Sequence, residues 1–250
     1  LHRLWLEKFC FGDRAGRRAV KRSLDKELMD VPGQPPEVFE ENLRDLALLN
    51  RYLRNHANVI GAFEYLIGTG NAKDFSLLDI GTGSADIPLN LASWAAARDV
   101  HVRIAALEYA SVAAQQARER TRETAAIAVL RGDGAALPFR RNAFDYVLAS
   151  QLLHHFTEDK IVALLRTWAQ IARRAIIVSD LVRHPLAYHG IRLLSCLCTR
   201  NVMTRTDAPL SVRRAFTQAE WRQIFHRANI GSFKLRRAFP FRILAIIEVG

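Results

Sequence analysis

The chain has 250 residues, of which 50% are hydrophobic and 24% charged, and it carries a formal net charge of +11. This composition is typical of a globular protein and excludes a disordered, collagen-like or coiled-coil chain. No uncharged apolar run reaches the roughly 18 residues of a membrane-spanning helix, so none is expected.

The N-terminal residues 1–75 are predicted to form a helical extension. Pro35 and Pro36 favour a helix start, because proline is tolerated in the first helical turn. Leucines then recur at near-helical spacing. A second helix is predicted over residues 59–67, and the glycine-containing turn at 68–71 ends it.

Residues 76–182 alternate short apolar runs with helical patterns. The predicted strands are 76–80, 102–107, 127–130, 146–149 and 175–178. The predicted helices between them are 86–98, 111–123 and 159–173. Buried strands separated by helices of this length indicate βαβ units, so we predict an α/β fold with a doubly wound, mainly parallel sheet.

The remaining residues are predicted to complete one folded unit over 76–250. Residues 183–228 follow the fifth strand as a helical segment that can cover the edge of the sheet as a lid. The chain ends in two apolar runs, 233–239 and 241–249, separated by Pro240. These runs are predicted to pair as antiparallel strands at the edge of the sheet.

The positive charge is concentrated in residues 183–242. This segment contains eleven arginines and Lys234 but only two acidic residues, Asp207 and Glu220, so its net charge is +10. Nucleic acid, an anionic membrane surface and an acidic substrate carrier are all compatible partners. A solvated arginine-rich surface without a partner is the alternative.

The three cysteines, Cys10, Cys196 and Cys198, favour neither a disulfide framework nor a metal site, because no CxxC pair is present. We therefore expect free thiols and no bound metal. No secretory signal pattern is found, so the expected location is the cytoplasm.

The first predicted strand leads into a glycine turn and a helix start. Gly81 and Gly83, with Thr82 between them, let the backbone turn tightly and approach a ligand. A dinucleotide fingerprint would need glycine at Asp86, and a phosphate loop would need a following Gly-Lys-Ser/Thr, so both are excluded. Asp79 and Asp86 instead favour a cationic cofactor without phosphate, such as S-adenosylmethionine.

Polar residues also follow the next three strands. Glu108 ends the second strand, where a carboxylate can bind ribose hydroxyls. Asp133 and Gly134 follow the third, where a carboxylate can accept an adenine amino proton, and Ser150 follows the fourth. Because the carboxyl ends of parallel strands meet at one edge of a sheet, we expect these residues to form one ligand site.

In this order, the motifs of residues 76–182 resemble those of class I S-adenosylmethionine-dependent methyltransferases. The resemblance implies a Rossmann-like, seven-stranded sheet with an antiparallel last strand. It also implies a cofactor site for S-adenosyl-L-methionine, with Asp79, Gly81 and Gly83 around the methionine half, Glu108 on the ribose and Asp133 near adenine. One departure is Ala85, where many members have glycine, and we expect only slight crowding from it.

Further pieces of the chain resemble a bacterial subgroup often found beside type III polyketide synthases. These pieces are 27–30, 152–156, 179–183 and 209–217. The resemblance implies methylation of a small phenolic or quinone-like lipid metabolite, and O-methylation is favoured. The alternatives are C-methylation of an isoprenoid quinone and RNA methylation by the basic C-terminal region. RNA is the less expected acceptor, because no separate RNA-binding module is visible.

Transfer of a methyl group to a phenol is aided by removal of the phenol's proton, which a neutral imidazole can accept. His154 and His155 lie just past the fourth strand, and we predict that one of them is the catalytic base, with His154 preferred. Only one should face the site, because neighbours on a helix point about 100° apart. The candidate substrate-binding residues after the fifth strand are Asp180, Arg183, His184 and Tyr188.

The lid combines apolar and basic residues, which favours a lipid-like acceptor and a peripheral contact with an anionic membrane. Its apolar residues are Leu186, Ile191, Leu193, Leu194 and Leu197, with Trp221 further along, and its basic residues are Arg183, Arg192, Arg200, Arg205, Arg213 and Arg214. An N-terminal interfacial contact is also predicted, from Leu4, Trp5, Leu6 and Phe9 and the basic run Arg14–Arg22.

Overall fold

The computed structural model describes residues 20–68 and 73–249, and its centre is a seven-stranded sheet. The strands are β1 Asp74–Ile80, β2 His101–Glu108, β3 Ile127–Arg131, β4 Phe144–Ser150, β5 Ala172–Leu181, β6 Phe233–Ala238 and β7 Arg242–Glu248. Their order is β3-β2-β1-β4-β5-β7-β6. Strands β1 to β5 are parallel, and β7 lies antiparallel between β5 and β6. The predicted doubly wound α/β fold with an antiparallel last strand is confirmed.

Eight α-helices surround the sheet within the described residues. They are α1 Pro36–Tyr52, α2 Asn55–Gly68, α3 Asp86–Ala96, α4 Ser111–Thr121, α5 Glu158–Ile171, α6 Pro185–Cys198, α7 Val202–Arg214 and α8 Gln218–Ala228. Their starts follow the usual capping chemistry: Pro36 begins α1, and Thr217 and Glu220 form a capping box at α8. None of these described helices is long and apolar enough to cross a membrane.

Two apolar layers hold the sheet, one on each face. On one face, Phe63 of α2 stacks on Phe75 of β1, and Tyr146 of β4 meets both rings edge-on. On the other face, Trp168 of α5 and Trp221 of α8 are fully buried. These layers fix the carboxyl ends of the strands relative to one another, so the side chains at that edge are held by a rigid scaffold.

The N-terminal segment, defined here as residues 20–31, is extended apart from a 3-10 turn at Leu28–Asp30. The prediction of a helical extension is therefore wrong for these residues. Its Ser23 N–H donates to the Arg213 carbonyl at 3.1 Å, which fixes the segment against α7. Arg22 donates to the Arg214 and Phe156 carbonyls, so this basic side chain has a structural role. The predicted interfacial residues 4–9 and Arg14, Arg17 and Arg18 lie outside the described residues.

Residues 183–228, the predicted lid, do not pack as one unit. Helices α6 and α7 pack against each other, and α7 packs against α1. Helix α8 packs against α5 instead, and Trp221 is buried between Phe216 and Phe225. Trp221 therefore belongs to the core and not to the lid, because its whole helix turns back onto the sheet.

Candidate active site

The turn after β1 has the left-handed backbone that favours glycine. Gly81 and Gly83 have φ angles of +72° and +57°, and the Gly81 amide donates to the Leu107 carbonyl at 2.9 Å. Ala85 also has a positive φ, +59°, and is fully buried. Alanine in this left-handed conformation is less stable than glycine by about 1–2 kcal/mol. The sequence analysis expected only slight crowding from Ala85 and did not predict this backbone strain.

Asp79 lies near the end of β1, just before this turn. The residue is buried, with an exposed fraction of 2%. Burial raises the pKa of Asp79 to about 7, although a hydrogen bond from Thr82 opposes the shift. The negative charges of Asp86 and Glu108 raise it further. The turn therefore has an excess of acid, and a cation placed beside it would relieve the repulsion.

Glu108 links the end of β2 to the glycine turn. Its carboxylate accepts hydrogen bonds from the Gly83 amide at 2.8 Å and the Ala110 amide at 2.9 Å. Burial raises the pKa of Glu108, and the backbone hydrogen bonds oppose that shift. Glu108, which was predicted to bind the ribose, thus lies directly beside the glycine turn.

Asp86 begins α3 and faces the two N-terminal helices. His56 Nε2 lies 2.7 Å from its Oδ2, and the Asn50 amide donates to the same oxygen at 3.1 Å. Asn50 and His56 were missed by the sequence analysis. Asn50 lies in the first predicted helix, and helical periodicity alone does not show which face meets the turn. His56 lies before the second predicted helix, 59–67, because α2 begins earlier, at Asn55.

The other predicted cofactor residues have different surroundings. Asp133 is exposed and accepts the Ala135 amide at 2.8 Å, which closes a tight turn. Gly134 has no room for a side chain, since a Cβ atom would lie 2.7 Å from Ile80. Ser150 ends β4, and its hydroxyl accepts a hydrogen bond from the Asn55 amide at 3.0 Å.

His154 lies in a 3-10 turn, Leu153–His155, that follows β4. Its Nδ1 is 2.7 Å from Asp180 Oδ1, and its own backbone amide donates to Oδ2. Burial alone would raise the pKa of Asp180, but the charge and hydrogen bond of His154 lower it below its usual value. Asp180 is fully buried, so it orients His154 and does not line a substrate site.

His155 faces the same side of the turn. Its Nδ1 lies 2.8 Å from Asp30 Oδ2, and the two imidazole rings are 4.4 Å apart. Both histidines line one cavity. The prediction that only one would face the site is wrong, because the tight 3-10 turn sets the rings side by side.

Glu27 of the N-terminal segment lies across both imidazoles. Its Oε1 is 3.7 Å from His154 Nε2, and its Oε2 is 3.8 Å from His155 Nε2. The side chain is buried, and Oε1 has no hydrogen-bond partner. Burial raises the pKa of Glu27 to about 7, although the nearby His155 opposes the shift. In the sequence analysis Glu27 appeared only within a segment that resembles a bacterial subgroup. Its contact with the histidines could not be predicted, because more than 100 residues separate them along the chain.

The remaining candidate substrate residues do not reach the cavity. Arg183 donates to the Ala215 carbonyl and to Glu220 Oε1, both at 2.7 Å, so it braces the structure. His184 caps α6 by accepting the Leu186 amide at 3.2 Å. Tyr188 packs beside His189 and does not line the cavity. These three side chains therefore make contacts within the segment that contains α6, α7 and α8.

The cavity has a volume of about 430 Å³ and runs from the glycine turn to α6 and α7. The predicted site residues that line it are Asp79, Gly81, Thr82, Gly83, Asp86, Ser150, His154 and His155. Those that do not are Glu108, Asp133, Gly134, Asp180, Arg183, His184 and Tyr188. Most of the remaining wall is aliphatic: Leu43, Leu46, Leu49 and Leu53 from α1 and its end, and Leu186, Ile191 and Leu194 from α6. Leu193, one of the predicted apolar lid residues, is 62% exposed and does not line the cavity.

Residues 77–175 match the family model described as a methyltransferase domain. No curated protein sequence gives a significant match to the chain. Among solved structures, a provisionally assigned O-methyltransferase from Nostoc punctiforme has a TM-score of 0.60 and 16% identity, covering 92% of this chain and 64% of its own.

Two further structures extend this comparison. Human N-acetylserotonin methyltransferase in complex with S-adenosylmethionine has a TM-score of 0.62 and 16% identity, covering 92% of this chain and 63% of its own. Magnesium protoporphyrin IX methyltransferase from Synechocystis, with bound S-adenosylhomocysteine, has a TM-score of 0.53 and 18% identity, covering 80% of this chain and 86% of its own.

At these identities the structural likeness shows a common fold, and the chain spans less than two thirds of the Nostoc and human proteins. Residues 77–175 are thus similar to a methyltransferase domain, within a chain that has the fold of the compared methyltransferases.

Proposed function

We propose that the protein transfers the methyl group of S-adenosylmethionine to a hydroxyl oxygen of a small, phenolic or quinone-like lipid acceptor. The shape and lining of the cavity carry this proposal. Its walls toward α1 and α6 are aliphatic, and its polar groups cluster at the glycine turn and at the histidine pair. Such a cavity favours an apolar molecule that presents one polar group to His154 and His155.

The cofactor is proposed to lie along the carboxyl edge of β1, β2 and β4. Asp79 and Asp86 would face the cationic methionine half, Gly81, Thr82 and Gly83 would give it room, and Glu108 would bind the ribose. Asp133 and Gly134 would flank the adenine, and Ser150 would lie near the methionine half. Support comes from the acidity of the turn and from the Glu108–Gly83 hydrogen bond.

S-adenosylmethionine affinity is expected to rise with pH up to about 7, because burial raises the pKa of Asp79 to about 7. Below that pH the carboxyl group is protonated and loses its attraction for the cation, so affinity should fall by up to about tenfold per pH unit. Calorimetric titrations at pH 5.5, 6.5 and 7.5 measure the slope.

The Asp79→Asn variant should show weaker binding without that slope. Glu27 titrates in the same range and lines the same cavity. A slope that survives in Asp79→Asn and disappears in Glu27→Gln would contradict the assignment to Asp79.

His154 is proposed to accept the proton of the acceptor hydroxyl. Asp180 holds its Nδ1 at 2.7 Å, so the network assigns the imidazole proton to Nδ1 and leaves the Nε2 lone pair toward the cavity. A phenol ionises near pH ~10, so removal of its proton by a neutral imidazole strengthens the nucleophile at physiological pH.

Methyl position tests the reaction type directly. A long-chain quinol that offers both hydroxyl groups and an unsubstituted ring carbon should yield an O-methyl ether, identified by mass spectrometry and NMR. A ring C-methyl product would instead support the quinone C-methyltransferase alternative.

The outer face of the lid is proposed to approach an anionic membrane from the cytoplasm. Leu193, Leu197 and Val202 are 62%, 75% and 68% exposed and do not line the cavity. Arg192 and Arg200 are exposed beside them. Three of the predicted lid arginines, Arg183, Arg205 and Arg214, instead donate hydrogen bonds to backbone carbonyls of the protein.

Sedimentation with vesicles that contain anionic lipid should show binding that weakens as salt is added. Leu197→Glu should weaken it at least about tenfold, since burial of one leucine side chain is worth about 1.5–3 kcal/mol. Leu130→Glu on the distant strand β3 is the matched control. Tight RNA binding without vesicle association would favour the RNA alternative.

A further inference from the structure

We propose that Glu27, His154 and His155 form a binding site for one divalent first-row transition-metal ion such as Zn²⁺. One carboxylate oxygen and two imidazole nitrogens from these residues lie within 4.8 Å of one another. Among the described residues, their ligand types and mutual distances fit a single ion. The inference stands on these side chains and does not depend on the proposed acceptor.

The distances fit coordination better than direct hydrogen bonding. The Glu27 oxygens lie 3.7 and 3.8 Å from the two Nε2 atoms, too far for hydrogen bonds. Ligands held about 2.0–2.1 Å from a tetrahedral ion are separated by roughly 3.3–3.5 Å. All three ligand atoms lie within 4.8 Å of one another, so side-chain shifts on the order of 1 Å would close the three groups around an ion.

Each histidine already has the outer hydrogen bond typical of a metal ligand. His154 Nδ1 lies 2.7 Å from Asp180, and His155 Nδ1 lies 2.8 Å from Asp30. A carboxylate on Nδ1 orients the ring and makes Nε2 a better ligand. Both free nitrogens face Glu27, which is the arrangement of a carboxylate–histidine–metal site.

Glu27 supplies an independent sign of a missing partner. It is 1% exposed, and its Oε1 has no hydrogen-bond partner among the described residues. Arg214 is the nearest guanidinium, but its Nε stays 3.7 Å from that oxygen and its donors go to backbone carbonyls. A buried carboxylate without close compensation is costly, and a bound cation removes that cost.

The charge of the surroundings also favours a divalent cation. The carboxylates around the pair are those of Glu27, Asp30, Asp180 and Asp207, and the cations are Arg214 and Arg242. With neutral histidines and Glu27 in the ionised form that a metal ligand needs, this leaves an excess of two negative charges. Two nitrogens and one oxygen favour a transition metal over Mg²⁺ or Ca²⁺, which prefer oxygen ligands.

All three ligands line the cavity, so a fourth coordination position can face the acceptor. A bound ion would lower the pKa of a coordinated hydroxyl, in place of the imidazole base of the metal-free protein. The expectation of no metal rested on cysteine spacing alone, and it did not consider residues brought together from distant parts of the chain.

The test is a metal titration of the full chain after chelator treatment and dialysis. Calorimetry with Zn²⁺ should show one ion per chain with micromolar or tighter affinity, and Co²⁺ should give the visible absorption of a low-symmetry nitrogen–oxygen site. Glu27→Gln should weaken Zn²⁺ binding at least about 100-fold, and Asp30→Asn about tenfold. Glu37→Gln, an exposed change on α1, should leave it unchanged.

Thermal melting and S-adenosylmethionine titration of the same samples report folding and cofactor binding separately from the metal. If Glu27→Gln does not fold, His155→Asn provides the second ligand variant. Absence of stoichiometric Zn²⁺ binding by the wild-type protein would overturn the proposal. Equal Zn²⁺ affinity in the wild-type and a folded ligand variant would overturn it as well.

Discussion

Replacement of Gly81 by valine is expected to reduce S-adenosylmethionine affinity at least about 100-fold. The φ angle of Gly81 is +72°, a conformation that a β-branched residue adopts only with strain. An added Cβ atom would also lie 2.9 Å from the Leu152 side chain. The variant must therefore move either Leu152 or the turn, and the turn lines the cavity at the proposed position of the methionine half.

Calorimetric titration measures this loss, and thermal melting shows whether the variant is folded. Gly68→Val is the matched control, because nothing lies within 4 Å of a Cβ atom placed there. Undiminished affinity in folded Gly81→Val would remove this turn from the cofactor site.

Replacement of His154 by alanine is expected to lower kcat toward a phenolic acceptor at least about 100-fold at neutral pH. The protein is first treated with chelator so that Nε2 carries no metal ion. S-adenosylmethionine affinity should hardly change, because His154 lies beyond the glycine turn toward the acceptor. The deficit should narrow as pH approaches the phenol's own pKa near ~10, since the acceptor then ionises without help.

The pH profile separates a lost base from a general structural defect, which would persist at every pH. Loss of the His154 ring leaves the buried Asp180 carboxylate without its imidazole partner, which destabilises the protein. A His154→Ala, Asp180→Asn variant removes this buried charge, so its kcat reports loss of the base alone. His155→Ala tests the other imidazole. Wild-type kcat in both single variants would mean that the acceptor needs no histidine base.

The fold could be predicted closely because its signals are local. Pro36 begins α1, and the apolar runs around Leu78, Val147 and Ile177 became central strands. Buried parallel strands are almost continuously apolar, which makes them visible in one sequence. The break at Pro240 likewise separated the two final strands.

The acceptor side of the site could be predicted only in part. His154 and His155 were found because they follow a strand directly. Glu27 and Asp30 were not assigned a role, because their contacts with the histidines come from an extended segment that carries no periodic signal. Trp221 was placed in the lid because helix count alone does not show where a helix turns back onto the sheet.

The most direct test of the central claim is the fate of a labelled methyl group. The protein is incubated with methyl-labelled S-adenosylmethionine and with lipid extract or total RNA from the same cells. We predict that label enters organic-extractable small molecules as O-methyl groups, with S-adenosylhomocysteine released in equal amount. Label found in RNA, and none in the lipid fraction, would contradict the proposed function.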